Sequence, residues 1–332
     1  MITPDPITAE LDLLCRLEAG PGGTLMRLVT TTGDLTPYFE DRSIASPLEA
    51  IRKTGFKYID MSFYGVIYKG SSWIAAGDSW KKEVEDSLKA AEKHDLTFCQ
   101  AHSPDGEHFV DNEEREALIL ATKRTFEACA MLGIPHTVIH AAGCGPNEAD
   151  FKKQNIAFYR LFEEDAEKYC VDMLTENSAE AWNPEYFLRT GKEMREFVEE
   201  AGIPRLHLIW DTGHANVQGC SQYTDILDMG QELHALHVQD NDGKTDAHLM
   251  PMCGTTNFDD VIRGLIDAGY KGDFTFEGSN TLRRASSWPW FRRNVKPEDR
   301  LSSPPLELQQ KQIALMHQIG IWMLESYGIQ VQ

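Results

Sequence analysis

The sequence predicts an α/β protein, a single-domain (β/α)8 or TIM barrel, and three observations carry that expectation. Eight short apolar runs of strand length recur at 25–30, 57–62, 96–101, 136–140, 171–175, 206–210, 233–238 and 273–277. Helical candidates alternate with them: 46–54, 79–94, 112–132, 147–169, 190–201, 222–230 and 257–268, with a last helix over about 306–326. Repeated strand–helix units of this kind form parallel sheets, and eight of them in one chain favour a closed barrel over an open sheet of the same size. Polar residues also collect at the carboxyl ends of the runs, where parallel α/β folds place their sites.

Local chemistry punctuates the elements. Asp111 is placed to cap the helix over 112–132, whose acidic opening Asn-Glu-Glu suits the positive end of a helix dipole. Gly133 and Gly202 follow helical runs where the chain must leave through a left-handed residue, and Pro135 and Pro204 then block any continuation before the next strand. Residues 1–24 read as an N-terminal extension with a short amphipathic helix, leaving 25–332 as the catalytic barrel domain. Two long loops stand out. Residues 63–80, after strand 2, carry Phe63, Tyr64, Tyr68, Trp73 and Trp80. Residues 278–305, after strand 8, carry Trp288, Trp290 and Phe291 among six Arg and Lys residues. Aromatic content argues that these loops either wall the barrel mouth or form an interface between subunits of a homo-oligomer.

Composition narrows the function classes. The 332 residues hold 52 acidic and 32 basic side chains, a net charge of −20. That surface repels phosphate backbones and anionic lipid, so nucleic acid and membranes are disfavoured as partners. No apolar run approaches membrane-spanning length, and the first ten residues lack the basic and apolar regions of a signal peptide. Seven cysteines without a C-x-x-C pair suggest reduced thiols and a cytoplasmic setting.

The chemistry concentrates in four residues. Glu176, Asp211, His237 and Glu277 close strands 5, 6, 7 and 8. Convergence of these ends would bring three carboxylates and one imidazole together, an oxygen-rich donor set suited to one divalent ion, Mn2+ or Mg2+ first and Co2+ or Zn2+ as alternatives. Without a cation, so many clustered carboxylates would repel and one would take up a proton. His102 and His140 end strands 3 and 4, and His214 stands three residues past Asp211, all three as substrate contacts or extra ligands. Strand 7 is followed by a polar run that contains Lys244, Asp246 and His248. His94, His108, His136, His207, His234 and His317 read as ordinary structural histidines.

The stretches Thr175-Glu-Asn177, Trp210-Asp-Thr-Gly-His214, His237-Val-Gln-Asp-Asn-Asp242 and Phe276-Glu277 resemble the xylose-isomerase-like TIM-barrel superfamily over about residues 25–280. That superfamily includes ketose 3-epimerases, hydroxypyruvate isomerases, inosose dehydratases and endonuclease-IV-type abasic-site nucleases. The resemblance implies a metal-dependent isomerase or epimerase of carbohydrate metabolism, the metal bound by Glu176, Asp211, His237 and Glu277. A ketose or aldose would chelate it, and the metal would stabilise an enediolate. Glu176 and Glu277 would be the acid/base pair on opposite faces of the acidic C–H, with His214 on a substrate oxygen.

Two departures from the ketose 3-epimerase pattern point to a different substrate. Asp242-Gly243-Lys244 stands where those enzymes carry an arginine, and Trp182 stands where they carry a second glutamate, with Lys244 and Glu180 as replacements. Trp182 would stack on a sugar ring and accept a bulkier substrate, such as an inositol, a glycoside or an oxidised sugar. A lyase or dehydratase acting on a sugar is an alternative on the same scaffold. So is a three-zinc nuclease, because His102, His140, Glu176, Asp211, His214, His237, Asp246, His248 and Glu277 match that ligand set in type and order.

Overall fold

The computed structural model describes residues 25–178, 185–282, 296 and 298–332. Eight strands form one parallel sheet: β1 (Leu28–Thr31), β2 (Tyr58–Ser62), β3 (Thr97–His102), β4 (His136–Val138), β5 (Asp172–Glu176), β6 (Leu206–Asp211), β7 (Leu233–His237) and β8 (Phe274–Phe276). Each strand pairs with its predecessor in the chain from β2 to β7, and β1 also pairs with β8. A parallel bridge between Val238 and Phe276 joins β7 to β8 and closes the barrel. At the β1–β8 seam Arg27 holds Asp273 through two bonds of 2.6 and 2.7 Å, a two-pronged guanidinium–carboxylate pair. All eight predicted strands are present, and helices lie between them as expected for a (β/α)8 barrel.

Alternation along each strand sorts the side chains. One set of apolar residues, including Met173, Leu208, Trp210 and Leu236, faces outward into the main core beneath the helices. A separate set, Val138, Leu174, Ile209 and Ala235, fills the barrel interior from β4 to β7. Two residues further along, on the same inward-facing rows, come His140, Glu176, Asp211 and His237. The site therefore sits directly on an apolar plug at the carboxyl end of the barrel.

Local details differ from expectation in four places. Asn112, not Asp111, caps the helix Glu113–Leu132, its side chain accepting from the Arg115 amide. The helix expected over 147–169 is broken at Leu161–Phe162 into Glu148–Arg160 and Glu163–Tyr169. A short helix, Thr212–Gln218, follows β6 directly, and Asp211 is its cap. The aromatic loop after β2 turns inward: Phe63, Trp73 and Trp80 are buried, with ring centroids 5.0 and 5.2 Å apart in succession, so they belong to the core and not to a mouth wall or an interface. Tyr64 alone of that group lines the cavity. The extension over 1–24 and most of the 283–297 segment, with Trp288, Trp290 and Phe291, lie outside the described residues, as do Glu180 and Trp182.

Candidate active site

A cavity of about 830 Å3 opens at the carboxyl ends of the strands. Glu176 and Glu277 face it, as do His102, His140, His214, Asp246 and His248. Asp211 and His237 are fully buried just beneath.

The ring of His237 is held between two carboxylates. Its Nδ1 lies 2.8 Å from Glu176 Oε1, and its Nε2 lies 3.4 Å from Glu277 Oε1. Burial alone would lower its pKa, but the charges of Glu277 and Glu176 prevail and push it up to about 10. Glu176 is shared further. Its Oε2 lies 3.1 Å from His140 Nε2, and its Oε1 lies 3.7 Å from His214 Nδ1. Burial would raise the Glu176 carboxyl, yet His237, His140 and His214 together hold it well below the usual carboxylate range.

Asp211 divides its two oxygens. Oδ1 accepts from the His214 amide at 2.7 Å and so caps the helix that follows β6. Oδ2 is buried without a hydrogen-bond partner. Burial, reinforced by Glu176 and Asp246, pushes this carboxyl up to about 7. An orphaned, buried carboxylate oxygen beside Glu176 is what a cation ligand looks like before its ion is added. Glu176 and Asp211 form one candidate donor group with His214, and His237 and Glu277 form another with Asp60; both offer the carboxylate and imidazole donors that suit a divalent ion.

The remaining predicted residues surround this centre. His102 Nδ1 donates to the Ser103 carbonyl at 3.0 Å, so in the neutral ring Nε2 is a bare lone pair, 2.9 Å from His140 Nε2. Burial, with His140 and His237 adding to it, lowers His102 to about 3. His214 donates Nδ1–H to the Asn177 carbonyl at 2.7 Å and turns Nε2 toward Asp246 Oδ2 at 3.4 Å. His248 Nε2 reaches the same Asp246 oxygen at 3.2 Å. All nine residues of the nuclease resemblance fall into donor groups: three that overlap, His102–His140–Glu176, Glu176–Asp211–His214 and His214–Asp246–His248, and a separate one of His237 and Glu277 with Asp60. Lys244 is not brought into the site; it lies on an exposed turn closed by Asp242, away from the cavity lining.

Several site residues are absent from the sequence-based set. Asp60 is fully buried on β2, 3.9 Å from His237 Nε2. No hydrogen bond of normal geometry reaches either of its oxygens, although the Thr31 hydroxyl is close enough to ease the charge. Gln100 on β3 places its amide 2.9 Å from His237 Nε2. His108, read as structural, lines the cavity and holds the His140 carbonyl at 3.1 Å. Tyr64 packs edge-on against His102 at 5.3 Å and bonds Asp105 at 2.9 Å.

A closed (β/α)8 barrel with a histidine–carboxylate cluster at its carboxyl mouth defines a class of barrel proteins with a polar site at the strand ends. Within it, this chain belongs to the xylose isomerase-like TIM barrel family, whose pattern matches residues 48–294. It is 29% identical to the ketose 3-epimerase of Arthrobacter globiformis over 90 residues, 27% of this chain and 29% of that protein. Among solved structures it resembles 3-keto-D-glucoside 4-epimerase YcjR from E. coli, with a TM-score of 0.62, 18% identity and coverage of 88% of this chain and 99% of that one. It also resembles the IOLI protein with a binding zinc atom, with a TM-score of 0.67, 15% identity and coverage of 91% and 99%.

Proposed function

We propose that the protein is a divalent-metal-dependent epimerase or isomerase acting on a carbohydrate bulkier than a free ketohexose. The observation that carries this reading is the pair Glu176 and Glu277, both facing the cavity and joined through His237. Glu176, Asp211, His237 and Glu277 would hold the ion, which supplies Lewis-acid polarisation of a sugar carbonyl when bound; Mn2+ suits the three carboxylates best. One glutamate removes the proton next to that carbonyl and the other returns it on the opposite face. His214, fixed by the Asn177 carbonyl, presents Nε2 to a substrate oxygen. His102, His140, Asp246 and His248 line the same cavity. The cavity is near the upper end of the range for small-molecule sites, which leaves room beyond one sugar ring. The ketose epimerase and 3-keto-glucoside epimerase relatives support a keto-sugar or keto-glycoside as substrate.

Incubation of candidate keto-sugars in deuterated buffer tests the reading. Wild type incorporates deuterium at the epimerised carbon, whereas Glu176→Gln and Glu277→Gln lose at least about a hundredfold in exchange while keeping their fold. Unchanged turnover in both variants sinks the two-carboxylate mechanism.

A second reading, phosphodiester hydrolysis at a three-ion centre, has one specific observation in its favour: the nine-residue donor cluster. It requires three ions per chain and incision of abasic-site DNA, and the net charge of −20 opposes duplex binding. One ion in the cavity and no incision rejects it.

A further inference from the structure

We propose that the amino-terminal face of the barrel carries a separate metal site, held by Asp172, His207 and His234 and suited to a borderline transition ion such as Zn2+. These residues stand at the start of β5, β6 and β7, and each offers a ligand atom within 4.8 Å of the others. Asp172 and Glu176 lie four positions apart on β5, roughly 13 Å of extended chain. The apolar plug of Val138, Leu174, Ile209 and Ala235 fills the space between the two levels. An ion bound here is therefore distinct from one bound in the cavity.

The sequence explains the convergence. The register between β6 and β7 shifts after Leu208, which opposes Leu233, so that Ile209 opposes Ala235 and His234 is left without a partner in the bulge. His234 then stacks on His207, with ring centroids 3.7 Å apart and planes at 18°, so a ring must rotate for both in-plane lone pairs to meet one ion. Asp172 Oδ2 stands 4.0 Å from His234 Nδ1. That is too long for a hydrogen bond, and a small rotamer adjustment brings it to the roughly 3.3 Å expected between two ligands of a tetrahedral ion.

The surroundings are those of a built site. Glu232 Oε2 takes Nδ1–H of His207 at 2.9 Å, which fixes the tautomer and leaves the Nε2 lone pair for an ion. Arg205 Nη1 donates to Asp172 Oδ1 at 2.8 Å and leaves Oδ2. Metal-binding imidazoles and carboxylates have outer partners of this kind. The three side chains are 20–32% exposed, so an ion enters from solvent and water completes its coordination. It would cross-link the three strands that deliver Glu176, Asp211 and His237, and would stabilise the folded chain by mass action.

Metal-stripped full-length protein dialysed against micromolar Zn2+ tests this by ion count, with wild type compared with the double variant His207→Gln/His234→Gln. The expected result is one zinc fewer per chain in the variant and loss of the corresponding part of the zinc-induced rise in Tm. Equal counts overturn the proposal, as does zinc uptake at this face of the wild type only at millimolar concentration. If the variant does not fold, anomalous scattering from zinc-equilibrated wild-type crystals decides. A peak about 2.0–2.1 Å from ring nitrogens of both His207 and His234 supports the site. Absence of such a peak overturns it.

Discussion

His237 Nδ1 stands 2.8 Å from Glu176 Oε1, and the opposite nitrogen of the same ring points to Glu277, so one imidazole ties together the two carboxylates proposed to move the substrate proton. The pair also fixes how metal and protons compete. Against the lowering effect of burial, Glu277 and Glu176 push His237 up to about 10, so at neutral pH the metal-free ring holds a proton that ligation must expel.

Metal affinity should therefore rise with pH. Each proton displaced strengthens binding by up to about tenfold per pH unit between pH 6 and 9. Calorimetry in buffers of different ionisation enthalpy measures the release directly. Binding heats that do not depend on the buffer, with an affinity flat across this range, would count against ligation by His237.

Gly213 has no room for a side chain. A Cβ there would sit 2.1–2.5 Å from the amide group of Gln239, which is bonded to Asp246. Gly213→Ala is expected to cost about 1–3 kcal/mol of stability through overpacking. It should also weaken metal or substrate binding on the Asp246 side, because Gln239 must leave Asp246 to make space. Urea unfolding and metal titration of the same variant separate the two effects. A variant as stable as wild type refutes the contact.

The inward-turned aromatic loop makes a plain stability prediction. Trp73 is 1% exposed and packed between Phe63 and Trp80. Trp73→Ala should cost about 3–5 kcal/mol, measured by urea unfolding. A loss below about 1 kcal/mol would mean that this loop is a detachable cover and not core.

The strands were legible because each is a short apolar run bounded by proline, glycine or polar residues, and the site was legible where a carboxylate or histidine ends such a run. The hidden parts are those that depend on closure. Asp60 lies inside Tyr58-Ile-Asp-Met-Ser62, where a lone carboxylate reads as solvent-facing until the barrel turns that row inward. His108 lies in a loop, and only the return of that loop to the His140 carbonyl brings it to the cavity. The helix after Asp211 escaped notice because one aspartate serves two purposes, capping with Oδ1 and facing the site with Oδ2. His207 and His234 meet through a register shift that no local pattern announces.

Asp60 supplies the last test, in the metal-free protein. Burial pushes its carboxyl up to about 7 from an ordinary 3.8, with Glu277 and Glu176 adding and His237 opposing. A carboxyl raised in the folded state binds its proton more tightly there than in the unfolded chain, so its contribution to stability is full below about 4 and is lost as pH rises through about 7. Asp60→Asn keeps the shape and removes the ionisation. At pH 8 the variant should be more stable than wild type by about 1–3 kcal/mol, the cost of leaving a buried charged group unsatisfied. Toward pH 4, where wild-type Asp60 is protonated in the fold, the advantage should shrink to near zero. Urea unfolding of both chains at pH 4, 6 and 8 measures the difference. A gap that is constant across this range, or that grows toward acid, would mean that Asp60 is ionised and paired in the folded barrel, and would remove it from the groups that make the site dependent on a cation.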